Sequence, residues 1–476
     1  MGRRFTPYTV ELDISGTAAD GFAVGRHDGR VIFVEYAVPG DKAEVEVFKR
    51  HKKQHFGRIS RLLVPSPHRV EARCAHFGVC GGCKWQMMAY EAQLKFKQQQ
   101  VLDAFERIGK LIPQKCLPIV GAEAPYYYRN KLEFTFSNKA WLTRDQIDSG
   151  QDFDQRVLGF HKPRIFDKII DIDHCYLQTP LINDIRNEVK TFARQRQWPF
   201  YDIRNNQGLL RNLLFRTTLH QNQLMVVLIL ADNRPDVVDE LFGHLESKFP
   251  QITHYLWIHN PKKNSSYSDL PFQLWKGKEV VVEKMGDYLF QISPTSFFQT
   301  NPRQAEKMYQ LIYELAAACR PAGAAPFEVL YDLYAGTGSI GIFLSSLAKK
   351  VVGIEYVEAA VEDARKNVAL NGLSHFTFYA GDIKKILSPE LVSREGRPGL
   401  LIADPPRAGM DARVVAQILE IAPQNIIYVS CKPATQARDI VLLQQKYELL
   451  SIQPVDMFPQ TAHVENIALL RRVDHQ

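Results

Sequence analysis

No run of about 18 apolar residues occurs anywhere in the chain, so the sequence offers no membrane-spanning helix. The opening stretch, Met1 to Ser15, lacks the apolar core of a secretory signal. Met1-Gly2-Arg3-Arg4-Phe5-Thr6 fits the loose N-myristoylation pattern, but a match this short makes no case for a lipid anchor. Cysteine is scarce: seven residues, odd in number and unevenly spaced along 476, do not form a secreted disulfide framework. A cytoplasmic protein in a reducing compartment, without membrane contact, is expected. Internal repeats and low-complexity tracts are also missing.

What is present is ordinary in bulk, with 45% hydrophobic and 23% charged residues. A chain of 476 residues is long enough for about three domains, each with its own core. The net charge of +7 is spread unevenly. "KRHKKQHFGRISR", which opens with Lys49-Arg50-His51-Lys52-Lys53, holds six Lys/Arg and no acid. Such a run is either a solvated basic face or a surface for backbone phosphates.

The rhythm of the chain changes twice. Residues 8–62 read as about five short strands, with His27-Asp28-Gly29-Arg30 as a hairpin turn, and predict a small closed barrel of the oligonucleotide-binding type. After Pro65 and Pro67 comes a cysteine cluster, then a helical period over 84–108 that ends at Gly109. Between 126 and 290, strand-like runs such as "KLEFTFS" and "QLMVVLIL" alternate with amphipathic helices, one of them "TPLINDIRNEVKTFARQRQ", an α+β pattern. Beyond about residue 303, strands ("EVLYDLY", "KKVVGIEY", "FTFYAGD", "LLIADPP", "NIIYVSC") alternate with helices, as in an open parallel sheet covered on both faces. The expected division is 1–62, 63–290 and 291–476.

The last third carries a nucleotide-type pocket. Gly336, Gly338 and Gly341 follow a strand and open a helix, where glycine permits a tight turn and close backbone approach to a ligand. Glu355 lies about 20 residues on, where a carboxylate reaches ribose hydroxyls. Acids end four successive strands: Asp332, Glu355, Asp382 and Asp404. One such acid reads as a helix N-cap, but four in register call for a ligand on that rim. A dinucleotide fold is the rival, although it has no need of the Asp404-Pro405-Pro406 segment. At the next strand edge Cys431 precedes Lys432 and Pro433, with Arg438 further on. A helix start and nearby cations there predict a favoured thiolate, hence a nucleophile; a small apolar turn residue is the plain alternative.

Asp404-Pro405-Pro406-Arg407-Ala408-Gly409, Ser430-Cys431-Lys432-Pro433, Phe458-Pro459-Gln460-Thr461-Ala462-His463-Val464-Glu465 and Ser296-Phe297-Phe298-Gln299-Thr300-Asn301 occur in the order seen in one family. The chain resembles the RNA (uracil-5-)-methyltransferases, over essentially its whole length. The resemblance implies a Rossmann-like catalytic domain that uses S-adenosylmethionine, with Cys431 as nucleophile and Glu465 as proton-abstracting base. It implies cofactor contacts from Gln299, Tyr334, Gly336, Ser339, Glu355, Asp382 and Asp404, and a role for Arg407 against the charge on the uracil oxygen. Lys432 stands where the family commonly has Asn. The amino-terminal barrel is similar to the family's RNA-binding TRAM domain, with Phe33, Tyr36 and Phe56 beside the basic run for stacking and phosphate contact. Tyr126-Tyr127-Tyr128-Arg129-Asn130-Lys131 also resembles a family motif; it lines the substrate cleft or packs as an edge strand.

Cys74, Cys80 and Cys83 form a compact cluster among Gly78, Gly81 and Gly82. Four thiolates suit zinc as well as iron. A subset of the family carries a [4Fe–4S] cluster on this spacing, with a fourth cysteine downstream, which implies Cys74, Cys80, Cys83 and Cys175 as ligands. Cys116 and Cys319 are expected to be buried thiols. The cysteines and the barrel together point to the 23S ribosomal RNA branch, with transfer RNA as the alternative substrate and a monomer as the expected state. A non-catalytic RNA-binding protein that keeps the fold, and a radical enzyme, are the rival classes.

Overall fold

The computed structural model describes residues 5–52, 54–321 and 323–473. Met1 to Arg4, part of the myristoylation pattern, and Lys53 of the basic run lie outside them. Five strands (Tyr8–Thr17, Ala23–His27, Arg30–Glu35, Lys42–His51 and Gln54–Val64) close into a barrel. Its strands alternate inward and outward because one face fills the barrel: Leu12, Ile14, Ile32, Val34, Val45 and Val47 are buried together. The turn at Asp28-Gly29 has φ of 47° and 73°, the positive pair that a two-residue hairpin requires, and His27 pairs with Arg30.

A seven-stranded sheet forms the middle of the molecule, running from Phe272–Lys276 through His254–His259, Leu224–Leu230, Leu210–Thr217, Lys131–Ser137 and Val157–His161 to Ile169–Asp171. "LMVVLIL" reads as unbroken apolar sequence because both faces of that strand are covered. Val226 and Leu228 pack with the helices Pro180–Gln195 and Pro235–Lys248. Met225, Val227 and Ile229 join a core shared with the last third of the chain. The central and carboxy-terminal regions therefore meet through apolar side chains.

The carboxy-terminal sheet has eight strands, ordered Phe376–Ala380, Val351–Glu355, Leu330–Leu333, Leu400–Ala403, Asn425–Ser430, Glu465–Arg472, Tyr447–Val455 and Lys115–Cys116. The first five are parallel, and Glu465–Arg472 runs antiparallel to both of its neighbours. This is the Rossmann-like architecture expected, and its strand order reverses between Leu330–Leu333 and Leu400–Ala403, where such sheets bind ligands. No helix among the described residues is long and apolar enough to cross a membrane.

Residues 84–121 fall within the central segment by sequence but dock onto the carboxy-terminal sheet. Lys115–Cys116 adds its edge strand beside Ser451–Ile452, and Val101, Phe105 and Leu111 enter the core with Tyr428 and Ile452. The helix begins later than its period predicts, at Tyr90, because the N–H groups of Lys84 and Trp85 donate to Gln460 O instead; from Asp103 it runs on as a wider π-helical turn, Ala104–Gly109, and so ends at the expected glycine. Cys116, expected to be buried, is exposed on the two-residue edge strand, and Cys319 is half-buried.

Lys97 and Asp456 are fully buried and 2.6 Å apart, and Lys97 Nζ also donates to Phe458 O. Tyr90 donates to the other Asp456 oxygen. Asp456→Ala leaves a buried ammonium without its partner and is expected to cost about 3–5 kcal/mol, read as a lower denaturation midpoint in urea. A midpoint unchanged from native would remove this pair from the account of stability.

Candidate active site

The carboxyl ends of the parallel strands open onto a cavity of about 1680 Å³. Single small-ligand pockets run to roughly 300–1,000 Å³, so there is room for two reactants. Every residue the sequence nominated for cofactor contact lines it: Gln299, Tyr334, Gly336, Ser339, Glu355, Asp382 and Asp404. Cys431 and Glu465 line it too.

The glycine turn explains part of this geometry. Tyr334, Gly336 and Gly338 have φ of 62°, 54° and 76°, and Gly336 N donates to Glu355 Oε2 at 3.0 Å. Val357 N donates to Glu355 Oε1 at 2.9 Å, so the carboxylate is fixed while lone pairs remain for hydroxyl donors. Asp382 caps the short helix Ile383–Ile386 through Lys384 N. Asp332 behaves differently from the other three acids. It is buried behind the cavity, accepts from Gly341 N at 3.0 Å, and burial pushes its pKa up to about 7. A Cβ on Gly341 would stand 2.9 Å from that oxygen, which is why glycine is needed there.

Strand register brings the two reactive residues together. Ser430 pairs with Asn466 in the antiparallel ladder, which sets the next residue of one strand, Cys431, beside the preceding residue of the other, Glu465. The expectation of a favoured thiolate is corrected by this arrangement. Burial, and then the carboxylates of Glu465 and Asp404, push the Cys431 pKa up to about 11, against a lowering by Arg407. Lys432 stands at the N-cap position of the helix Pro433–Leu443 without capping it, is exposed and does not line the cavity. Arg438 is committed elsewhere, to Asp439 and to Ala408 O. Burial and Asp404 push Glu465 up to about 8, and burial pushes Asp404 up to about 7. The site therefore concentrates carboxyl groups, with Arg407 as the cation facing them.

Several contributors were not read from the sequence. Tyr309, from the helix Pro302–Ala318, is buried against the cavity, and its hydroxyl lies 2.9 Å from Ser339 Oγ. Ser296 Oγ donates to Asp363 Oδ2 at 2.5 Å. Arg216, 2% exposed and without a carboxylate partner among the described residues, donates to the carbonyls of Pro294 and Ser296 and so holds the loop that presents Gln299. A buried arginine in "LLFRTT" was the available signal, but its target is about 80 residues away.

All four cysteines nominated as metal ligands (Cys74, Cys80, Cys83 and Cys175) line a second cavity of about 320 Å³. Burial, and secondarily the neighbouring sulfurs, pushes Cys80 up to about 11 and Cys83 up to about 12. Cys74 N donates to Gln86 Oε1, and Cys175 N to Asn183 Oδ1 at 2.7 Å. Gly81, with φ of 77°, lies where a Cβ would stand 2.3 Å from Pro163 Cγ. Among the described residues no three His, Cys, Asp or Glu side chains are gathered as one metal ion requires.

Comparison with known proteins closes the assignment. Family models match in three consecutive places: a TRAM domain over 5–59, a methyltransferase domain over 328–396 and a tRNA (uracil-5-)-methyltransferase over 397–473. An uncharacterised RNA methyltransferase of Porphyromonas gingivalis is 45% identical, covering 97% of this chain and 99% of its own. One from Chlorobaculum tepidum is 37% identical, over 98% of this chain and 96% of its own. The chain belongs to the RNA (uracil-5-)-methyltransferase family.

This methyltransferase is also similar to a solved structure, a tRNA (uracil-54, C5)-methyltransferase of Pyrococcus abyssi in complex with S-adenosyl-L-homocysteine. Identity is 28%, the TM-score is 0.73, and the match covers 97% of this chain and 100% of the other. The protein is an S-adenosylmethionine-dependent RNA (uracil-C5-)-methyltransferase with an amino-terminal TRAM barrel.

Proposed function

We propose that the enzyme methylates C5 of a uridine through a transient bond between Cys431 and C6, and that Glu465 then removes the C5 proton. The observation that carries this reading is the placement of Cys431 beside Glu465, at the ends of two strands whose last pair is Ser430 and Asn466, inside a cavity with room for two reactants. Uracil C5 is a poor nucleophile until a thiolate adds at C6 and moves electron density onto it. Bound S-adenosylmethionine supplies an electrophilic methyl group. Gln299, Tyr334, Gly336, Ser339, Glu355, Asp382 and Asp404 hold it; Arg407 faces the charge that develops on the uracil oxygen. Proton removal by Glu465 lets the ring rearomatise and expel Cys431. The target base must leave its stack to reach this depth.

The raised pKa values set the pH dependence. Glu465 acts as a base only when ionised, and Cys431 only as thiolate, so both limbs favour high pH. The kcat/KM is expected to rise with pH through about 7 to 9 and to fall as pH drops through the Glu465 pKa of about 8. Arg407→Gln removes the cation that lowers both groups and should move this ascending limb to higher pH. A flat profile between pH 6 and 9 would contradict the assignment.

Large-subunit (23S) ribosomal RNA is the substrate we favour, on the combination of barrel and cysteine cluster, with the enzyme acting as a monomer in the cytoplasm. Transfer RNA is the second reading, favoured by the Pyrococcus abyssi enzyme, whose match over 97% of this chain necessarily includes the barrel. The barrel alone does not separate them. Its Phe33 and Phe56 stack at 5.4 Å with Phe22 alongside and Lys49 over Phe56, a surface suited to bases and phosphates. Tyr36 packs instead on Phe77, under Lys84. Transfer of labelled methyl groups to total RNA, followed by mapping of 5-methyluridine, decides the substrate; label in neither RNA overturns the proposal.

For the second cavity we propose a structural [4Fe–4S] cluster on Cys74, Cys80, Cys83 and Cys175. Four thiols set around a void, one buried and three half-buried, suit a polynuclear core better than a single zinc ion, which would draw them to one point. Iron and sulfide analysis, with absorbance near about 400 nm, separates the two.

A further inference from the structure

None of the three tyrosines in the run 126–128 lines the catalytic cavity, and two of them, Tyr126 and Tyr127, hold Arg73. Its guanidinium lies 4.4 Å from the ring centre of Tyr176, 5.2 Å from Tyr126 and 5.3 Å from Tyr127. One N–H donates to the Tyr127 hydroxyl at 3.3 Å. The residue is exposed, and no carboxylate among the described residues stands within ion-pair distance of it. His174 packs 4.3 Å from Tyr176, and its Nε2 is buried without a partner among the described residues. Arg73 immediately precedes Cys74 and Tyr176 immediately follows Cys175, so the two cysteine-bearing arms bring the patch together on the rim of the smaller cavity.

An exposed arginine ordinarily samples many rotamers or finds an acid. Here three rings crowd the guanidinium and one hydroxyl takes a single N–H, which leaves its other donors without a protein partner among the described residues. A rigid fork of donors beside tyrosine hydroxyls, with no neutralising acid, complements a phosphate. We propose that Arg73, clamped by Tyr126, Tyr127 and Tyr176, binds a backbone phosphate of the substrate RNA outside the catalytic cavity. This rests on RNA being the substrate. Tyr128, next along the chain, donates to Pro459 O in the segment that leads to Glu465, so a strand anchored at Arg73 is tied mechanically to the catalytic loop.

The test compares Arg73→Lys with Arg73→Gln in the full-length protein. Both disturb the packing on the rings, but only Arg73→Gln removes the charge. Affinity for a fluorescein-labelled single-stranded RNA of about 20 nucleotides is measured from about 50 to 200 mM salt. One lost phosphate contact lowers the slope of log K against log salt by about 0.7 on a single strand, or about 0.9 on a duplex. Arg73→Gln should show that drop, with weaker binding and unchanged metal content, and Arg73→Lys should keep the native slope. A native slope in Arg73→Gln overturns the proposal whatever happens to affinity, since a stacked base would weaken binding without changing the slope. Failure of the native protein to bind the probe would overturn the RNA reading instead.

Discussion

Cys431→Ala is expected to abolish methyl transfer, with a loss of at least about 10⁴-fold, while S-adenosyl-L-homocysteine still binds within about twofold of native. Among the described residues no other cysteine lines the large cavity, and Cys74, Cys80, Cys83 and Cys175 line a separate one. Cys431→Ser should be equally inactive. A hydroxyl ionises far less readily than a thiol, and this environment already opposes an anion, holding even the thiol at about 11. Because the thiolate is rare in the free enzyme, the thiol proton must leave as the uracil is attacked, and the neighbouring carboxylates are the acceptors in reach. Labelled methyl counting on RNA measures the loss. Residual activity above about one part in 10³ would mean that C5 is activated by some other route.

Glu465→Gln is expected to stop the cycle at a later point. Turnover should fall roughly 10² to 10⁴-fold, the usual value of a positioned base. In contrast to Cys431→Ala, the enzyme should remain joined to its RNA. The charge of Glu465 raises the Cys431 pKa, so the neutral amide brings that pKa down and enriches the attacking thiolate. Addition at C6 is then assisted while C5 proton removal is lost, and a protein–RNA species resistant to denaturing gels should accumulate. It should be absent from Cys431→Ala and from the double variant. Normal turnover with no such species would reassign the base, with Asp404 the next candidate on the same wall.

Much of this site was legible because it sits where local pattern dictates backbone. Strand-ending acids, the glycine turn and the Ser430-Cys431-Lys432-Pro433 segment each declare a strand edge, and in a parallel sheet those edges share one rim. The hairpin at Asp28-Gly29 was legible for the same reason, since only certain residues tolerate its dihedral angles. What could not be read depends on contacts between distant segments. The thiol's acidity was misjudged because Lys432 and Pro433 are its neighbours in sequence, whereas Glu465 and Asp404 are its neighbours in space. Tyr309 reaches the cavity only through packing of helix on sheet, and Arg216 acts on it only through the loop it holds. The docking of residues 84–121 on the far strand was hidden by a two-residue pairing, Lys115–Cys116, that carries no periodicity to detect.

That docking has a consequence for biosynthesis. Lys97 meets Asp456 across 359 residues of chain, and the Lys115–Cys116 edge finds its partner only in Tyr447–Val455. At about 5–20 residues per second of translation, the early segment waits roughly 20 to 70 s for the strand that completes it. Until the last stretch leaves the ribosome, apolar side chains such as Val101 and Phe105 have no cover. An unfinished polypeptide is thus kept catalytically silent, and its early helix is the part in greatest need of a chaperone.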